Sequence, residues 1–446
     1  VLKLADLEQR LHSRSITARA LAERCLDAAR DPAGEGTRTY TELLEESARS
    51  EAERSDERRL RDEDPGALEG IPLSVKDLFD LEGRVTRAGS IARADAAPAQ
   101  ADAPVVARLR AAGAVILGRT NMTEFAYSGL GLNPHFGTPL NPYDRAARRI
   151  PGGSSSGAAV SVTDELAAIA IGSDTGGSVR IPAALCGLVG WKPTQERVSR
   201  DGVLPLSRSF DSIGPLAADV AACVRVDSVL TGDAPPAPIP DLRGVRLAVP
   251  RELKTLGADA AVQAAIDRAL ARIARAGVEL DERDFPEIEG VPAAGLAAVI
   301  VGAEAFAWHR ENLERHGRLY DPRVRSRLEL GAPLHAWQYL DALQGRARSI
   351  AAARAALAGY TGWLMPTVPI IAPRIDALTE DASYVALNRL VLRNSSIVNV
   401  LDGCAVSLPC QPAGEAPVGL TVAGLHRWDA QILALAQALE PLLLAL

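Results

Sequence analysis

The chain has 446 residues, 47% of them hydrophobic and 24% charged, so it can bury a large core and does not have the composition of a disordered protein. A net charge of −7 and an isoelectric point near 5.6 weigh against tight, non-specific nucleic-acid binding. Five scattered cysteines (Cys25, Cys186, Cys223, Cys404, Cys410) without CxxC spacing argue against a disulfide framework or a thiolate metal site, and instead for reduced thiols in a cytoplasmic protein.

The opening residues, Val1-Leu-Lys-Leu-Ala-Asp-Leu7, are amphipathic and lack the charged and apolar regions of a secretory signal. Residues 1–65 are expected to form a helical N-terminal arm. Apolar positions recur at helical spacing over Ile16–Leu26, and acids and bases alternate from Glu45 to Asp64 as on a solvated helix face. Pro65-Gly66 punctuates the arm. The pattern then becomes α/β. Ile71–Val75 and Ala114–Leu117 read as short buried strands, Asp102–Ala112 as a helix between them, and Leu166–Ile171 as a further apolar run. Later strands are expected at Val245–Val249, Trp363–Pro366, Cys404–Leu408 and Val418–Val422. Short apolar strands separated by helices predict an α/β fold, a single large domain whose central mixed β-sheet is covered by helices on both faces. The Pro-rich stretch Asp233–Pro240 is the best internal boundary. No uninterrupted run of about 18 apolar residues occurs, so no membrane span is expected.

The densest glycine-rich and polar region runs from Pro151 to Thr194. It opens with Pro151-Gly-Gly-Ser-Ser-Ser-Gly157 and continues to Gly172-Ser-Asp-Thr-Gly-Gly-Ser-Val-Arg180. A flexible linker of that composition would not lie between two buried apolar segments. Consecutive glycines let the backbone turn sharply and aim several N–H groups at one point, which suits an oxyanion hole, and Ser178 stands at the end of that turn. A serine nucleophile needs a base. The six histidines (His12, His135, His309, His316, His335, His426) all fall outside the glycine-rich region, and no HExxH motif supports a zinc hydrolase. Lys76, at the end of the first apolar strand, is the other available base. A free lysine has a pKa of about 10.4, and burial can lower it far enough to make the neutral amine a general base.

These segments together resemble the amidase signature family, in its Ser–cis-Ser–Lys form. The resemblance rests on Ser74-Val-Lys-Asp77, the Gly-Gly-Ser-Ser-Ser-Gly loop, Gly172–Arg180, Cys186–Thr194, Val198–Gly202 and Ser209–Leu216. It is strongest over roughly residues 65–220, with weaker echoes in Met365-Pro-Thr367 and Pro417–Leu420. It implies Ser178 as nucleophile, Ser154 as bridging serine after a cis Gly153–Ser154 peptide, and Lys76 as base. The two serines stand 24 residues apart, as in family members. It further implies an oxyanion hole from the backbone amides of Thr175, Gly176, Gly177 and Ser178, with Ser155 supporting the hydroxyl network. The activity implied is hydrolysis of a carboxylic amide through an acyl-enzyme, needing no metal and no organic cofactor.

Within this reading, 66–235 is the catalytic core, 236–345 a mostly helical cover over the substrate entrance, and 346–446 the return to the core sheet. The loop Met122–Thr138 is expected to wall the pocket, with Ala126 and Tyr127 as candidate substrate contacts. Asp77 is expected to face away from Lys76. The partner expected is a small-molecule amide rather than a nucleic acid or membrane, with a homodimer as the candidate assembly. Thr163-Asp164-Glu165, Glu196 and Cys404 depart from common family choices, and none belongs to the triad.

Two other readings use the same residues. Gly153-Ser-Ser-Ser-Gly157 also fits a GxSxG nucleophile elbow, which would make Ser155 the nucleophile of an α/β-hydrolase, but no HGGG-type loop accompanies it. Within the family, the chain could instead be the glutaminase subunit of a tRNA-dependent amidotransferase, which passes ammonia to a partner.

Overall fold

The computed structural model describes residues 1–61, 63 and 65–444. Residues 62 and 64, at the end of the charged stretch expected to be a solvated helix face, lie outside the described residues. Eleven strands form one mixed sheet. They are β1 (Tyr40–Leu43), β2 (Pro72–Lys76), β3 (Val115–Thr120), β4 (Ile169–Asp174), β5 (Val189–Lys192), β6 (Ser212–Ala217), β7 (Arg246–Pro250), β8 (Glu279–Arg283), β9 (Gly362–Pro366), β10 (Cys404–Pro409) and β11 (Gly419–Gly424). Their spatial order is β1-β3-β2-β4-β6-β5-β10-β11-β9-β7-β8. Parallel pairs (β2 with β3 and β4, β7 with β8 and β9) flank an antiparallel centre in which β4, β6, β5, β10, β11 and β9 pair in turn.

Every residue of β2–β6 and β9–β11 is buried. Successive side chains of a strand point to opposite faces, so both faces of this sheet are covered by helices and their strands read as unbroken apolar runs. The six expected strands all form, shifted by at most three residues at either end, and the apolar run Leu166–Ile171 leads into β4. The five cysteines are free and buried.

The arm departs from expectation in two places. Residues Tyr40–Leu43 leave the helical pattern and pair antiparallel with β3 as an edge strand. The charged helix Glu45–Leu60 is not solvated all round, because it buries Ala48, Glu51, Ala52 and Ser55. The Glu51 carboxylate accepts the Ile116 N–H at 2.8 Å and pairs with Arg110 at 2.9 Å, which satisfies a buried charge at the sheet face.

The 236–345 segment supplies β7 and the edge strand β8 before its helices, so it extends the sheet as well as covering it. The residues of β8, Glu-Leu-Asp-Glu-Arg, are half-buried or exposed, which removes the apolar run that would have announced a strand. By length and composition the stretch Pro286–Leu319 could cross a membrane, although its apolar residues are interrupted by polar ones. In the fold its helix Ala293–His316 buries Leu296, Ile300, Val301, Ala305 and His309.

Candidate active site

Two neighbouring parallel strands bring the site together. β2 and β4 run side by side with Ser74 opposite Ala170 and Val75 opposite Ile171, so their C-terminal ends, Lys76 and Ser173-Asp174, emerge together. Ligand sites in such sheets commonly lie beyond the carboxyl ends of parallel strands. The third component, the 151–155 loop, arrives from the side. Gly153 donates its N–H to the Gly129 carbonyl at 2.8 Å, and the Ser154 carbonyl accepts from Thr123 N at 3.0 Å. A Cβ at Gly153 would lie 2.6 Å from the Gly131 nitrogen, so this close approach of two loops requires glycine. The Gly153–Ser154 peptide is cis.

Lys76 is fully buried, and its Nζ donates to Ser154 Oγ at 2.7 Å and to Ser173 Oγ at 2.9 Å. Burial pulls its pKa down from 10.5 to about 7, against the raising effect of the Asp174 and Asp211 charges. The Asp77 carboxylate points elsewhere: it accepts Gly89 N–H at 2.9 Å and lies 3.4 Å from the buried Arg119 guanidinium. Burial raises Asp77 to about 6 despite that cation.

Ser178 ends the turn after β4 and is 4% exposed. Its carbonyl accepts the Ser155 N–H at 3.3 Å, which ties the two serine loops together. Among the described residues its hydroxyl makes no hydrogen bond, so the Lys76–Ser154 link is formed and the Ser154–Ser178 link is not. The turn itself is shaped by Asp174. Its carboxylate accepts the Gly177 N–H at 2.8 Å and the Val179 N–H at 3.2 Å, and it pairs with Arg180 at 2.9 and 3.0 Å. Asn399 Nδ2 donates to it at 2.9 Å. Burial alone would raise Asp174, but the adjacent guanidinium outweighs this and holds the carboxyl well below the usual range. One expected oxyanion donor is corrected here. The Gly177 amide is engaged by Asp174, whereas no backbone carbonyl or side chain among the described residues takes the amides of Thr175, Gly176 or Ser178. Gly177 has φ +133°, and a Cβ there would collide with the Ser395 side chain, so the turn requires glycine for both shape and space.

Ser155 is fully buried, with Oγ 3.4 Å from the Ser173 carbonyl. It precedes the helix Ser156–Thr163, but no strand leads into it, so the strand–turn–helix of a nucleophile elbow is absent at this serine. Among the described residues no histidine hydrogen-bonds to Ser154, Ser155 or Ser178. His309 lies buried against Tyr320, with its pKa lowered by burial to about 3. No group of three or more His, Cys, Asp or Glu among the described residues could hold a metal ion.

A cavity of about 620 Å³ is walled by Leu132, Asn133, Pro134 and Thr138 from the 122–138 loop, and by Asp321–Arg323, Ser326 and Arg327 from the 236–345 segment. Leu132 follows Gly131, the residue packed on Gly152 and Gly153. Ser154, Ser178 and Lys76 do not line this cavity, and neither do Ala126 and Tyr127. Both are buried, and the Arg327 guanidinium lies 4.4 Å from the Tyr127 ring centroid while donating to the Tyr127 carbonyl at 2.7 Å. Part of the 122–138 loop thus walls a cavity whose lining does not include Ser154, Ser178 or Lys76, and Tyr127 packs beneath Arg327 rather than facing the open volume. The site residues that sequence reasoning passed over are Ser173, Asp211, Ser395 and Asn399, together with Arg180, whose motif was read without a role for it. Ser173 had one available signal, its place five residues before Ser178 on the strand beside Lys76.

The amidase family profile matches residues 21–433. The chain is 34% identical to 2-amino-5-chloromuconic acid deaminase of Comamonas testosteroni, over 99% of this chain and 96% of that one. It is also 34% identical to a glutamyl-tRNA(Gln) amidotransferase subunit of Symbiobacterium thermophilum, over 86% and 85% of the two chains. A crystal structure of an amidase superposes with a TM-score of 0.89 at 33% identity, covering 99% of this chain and all of that one. The sheet, the loops beyond β2 and β4 and these likenesses agree: the chain belongs to the amidase family, enzymes that hydrolyse amide C–N bonds.

Proposed function

We propose that the chain hydrolyses a carboxylic amide through an acyl-enzyme on Ser178, with Ser154 and Lys76 as the proton relay. The observation that carries this reading is a fully buried Lys76, its pKa near 7, whose Nζ lies 2.7 Å from Ser154 Oγ. Ser178 Oγ attacks the carbonyl carbon and passes its proton to Ser154, which passes its own to neutral Lys76. The oxyanion forms against the free amides of Thr175, Gly176 and Ser178. As the C–N bond breaks, the proton returns through Ser154 to the leaving nitrogen. Water then attacks the ester by the same relay, releasing the acid and restoring Ser178. Substrate binding closes the Ser154–Ser178 link. No metal or organic cofactor takes part in these steps.

Two observations support a substrate class. The deaminase relative is named for an acid, and Arg327, on the cavity wall, has no carboxylate partner among the described residues. Amides bearing a carboxylate are therefore the favoured substrates, with the Asp321–Arg327 wall part of the cover over their entrance. The second reading, ammonia transfer to a partner as a glutaminase subunit, is favoured by the amidotransferase relatives. A fluorophosphonate probe tests the chemistry: peptide mapping should place the adduct on Ser178, and an adduct on Ser155 would transfer the case to the α/β-hydrolase reading. Ammonia release by the isolated chain from a panel of acid-bearing amides separates the two family readings. Turnover of glutamine alone would favour the glutaminase role.

A further inference from the structure

Asp211 is a buried carboxylate with no cation paired to it among the described residues, in contrast to Asp174, which is locked by Arg180. Strand register puts it at the site. Asp174 pairs with Ser212 across β4 and β6, so the residue after β4, Thr175, stands opposite the residue before β6, Asp211. Asp211 Oδ1 accepts the Thr175 hydroxyl at 2.5 Å, and Oδ2 accepts the N–H groups of Leu206 and Ser207 at 2.9 and 3.0 Å. Both oxygens are thus occupied, and the carboxylate joins the first residue of the oxyanion turn to the 206–211 loop.

That loop is held in turn by the cover. Glu304 accepts Ser207 Oγ at 2.5 Å, Ser209 N at 3.0 Å, the Ser209 hydroxyl, and Tyr339 OH at 2.7 Å. Arg346 donates to the Ser209 carbonyl at 3.0 Å and lies 4.5 Å from the Phe210 ring centroid.

We propose that Asp211 is a positioning residue: it anchors the Thr175 end of the oxyanion turn and, together with Asp174, sets negative charge on the side of the site where Lys76 emerges. The proposal rests on the amidase reading above. The charged and titratable groups around it are Lys76 on β2, Asp174 on β4, Arg200 on the preceding loop, Glu304 and Tyr339 from the 236–345 segment, and Arg346 just beyond it. Burial raises Asp211 itself to about 6, against Thr175 and the two backbone donors, so its charge is present where Lys76 works.

Two variants divide the two parts of the proposal. Asp211→Asn removes the charge, and the ascending limb of the kcat/KM profile should move to lower pH by about one unit. Thr175→Val removes the anchoring hydrogen bond and leaves every charge in place. It should lower kcat by about tenfold or more with KM little changed and the pH limb unmoved, and Thr175→Ser should restore kcat. An unmoved limb in Asp211→Asn overturns the charge role, and wild-type kcat in Thr175→Val overturns the anchoring role. If Asp211→Asn does not fold, the Val and Ser pair still decides whether Asp211 positions the turn. Probe labelling of the wild-type enzyme distinguishes the two levels. An adduct away from Ser178 sinks the amidase mechanism, whereas an adduct on Ser178 with unaffected variants sinks only this inference.

Discussion

Replacing Lys76 by Met tests whether the buried amine is neutral when the enzyme works. Burial lowers Lys76 from 10.5 to about 7. Between those two values the unfolded chain binds more protons than the native one, so stability rises with pH across that window and is flat below and above it. At about 1.4 kcal/mol for each pH unit of that window, keeping this lysine buried costs on the order of 4 kcal/mol at neutral pH. Methionine fills similar space and does not titrate. It forfeits the hydrogen bonds to Ser154 and Ser173, each worth about 1 kcal/mol at any pH in this range. The stability of the wild type minus that of Lys76→Met should therefore climb by about 4 kcal/mol from neutral pH to the unfolded pKa. Groups common to both proteins cancel in this difference. Equilibrium urea unfolding in steps from about pH 6.5 to 10.5 measures it, paired with kcat/KM on a fluorogenic amide. The variant should lose about 10² to 10⁴ in rate at neutral pH. A pH-independent stability difference would mean that Lys76 is protonated in the native state at neutral pH. Either that result or near-normal turnover of the variant refutes the relay.

Arg180→Ala leaves the Asp174 carboxylate buried with only amide donors, and unfolding at neutral pH should show a loss of about 3–5 kcal/mol. The depressed native pKa of Asp174 gives stability above the unfolded value of 3.8 that is lost as pH falls through the native one, so the Arg180→Ala penalty should shrink in acid. Unfolding curves of equal separation at all pH values would contradict this pairing. Arg327→Ala should raise KM about tenfold for amides bearing a carboxylate and leave neutral amides of the same size unchanged. An equal effect on both classes in steady-state kinetics would remove Arg327 from substrate recognition.

The strands legible in the sequence were those buried on both faces, where an apolar run such as Cys404–Leu408 has the length of a strand and is too short for a core helix. Two of the ones missed carried no such mark. β8 is charged and lies at the sheet edge, β1 is four residues long, and β5 and β6 lay inside segments read for chemistry rather than for pattern. The contact between Lys76 and Ser154 was anticipated from the resemblance of the strand end and the glycine loop to the amidase signature, whose motifs are local in the chain. Asp77 faced away as expected, toward Arg119, a partner no motif named.

By itself, then, the amino-acid sequence determined which residues could do chemistry here: a glycine turn that can present amides, serines at its ends, and a lysine closing an apolar strand. What only the tertiary structure decided is how those residues are tuned. Asp174 takes Gly177 out of the set of free amides, Asn399 reaches Asp174 across 225 residues, and the registers of β2, β4 and β6 bring Ser173 to Lys76 and Asp211 to Thr175. The physical reason is that a pKa and a hydrogen-bond partner depend on distance and burial in space. Those are set by strand register and by which distant segment fills the gap, and neither is written in the spacing of neighbouring residues.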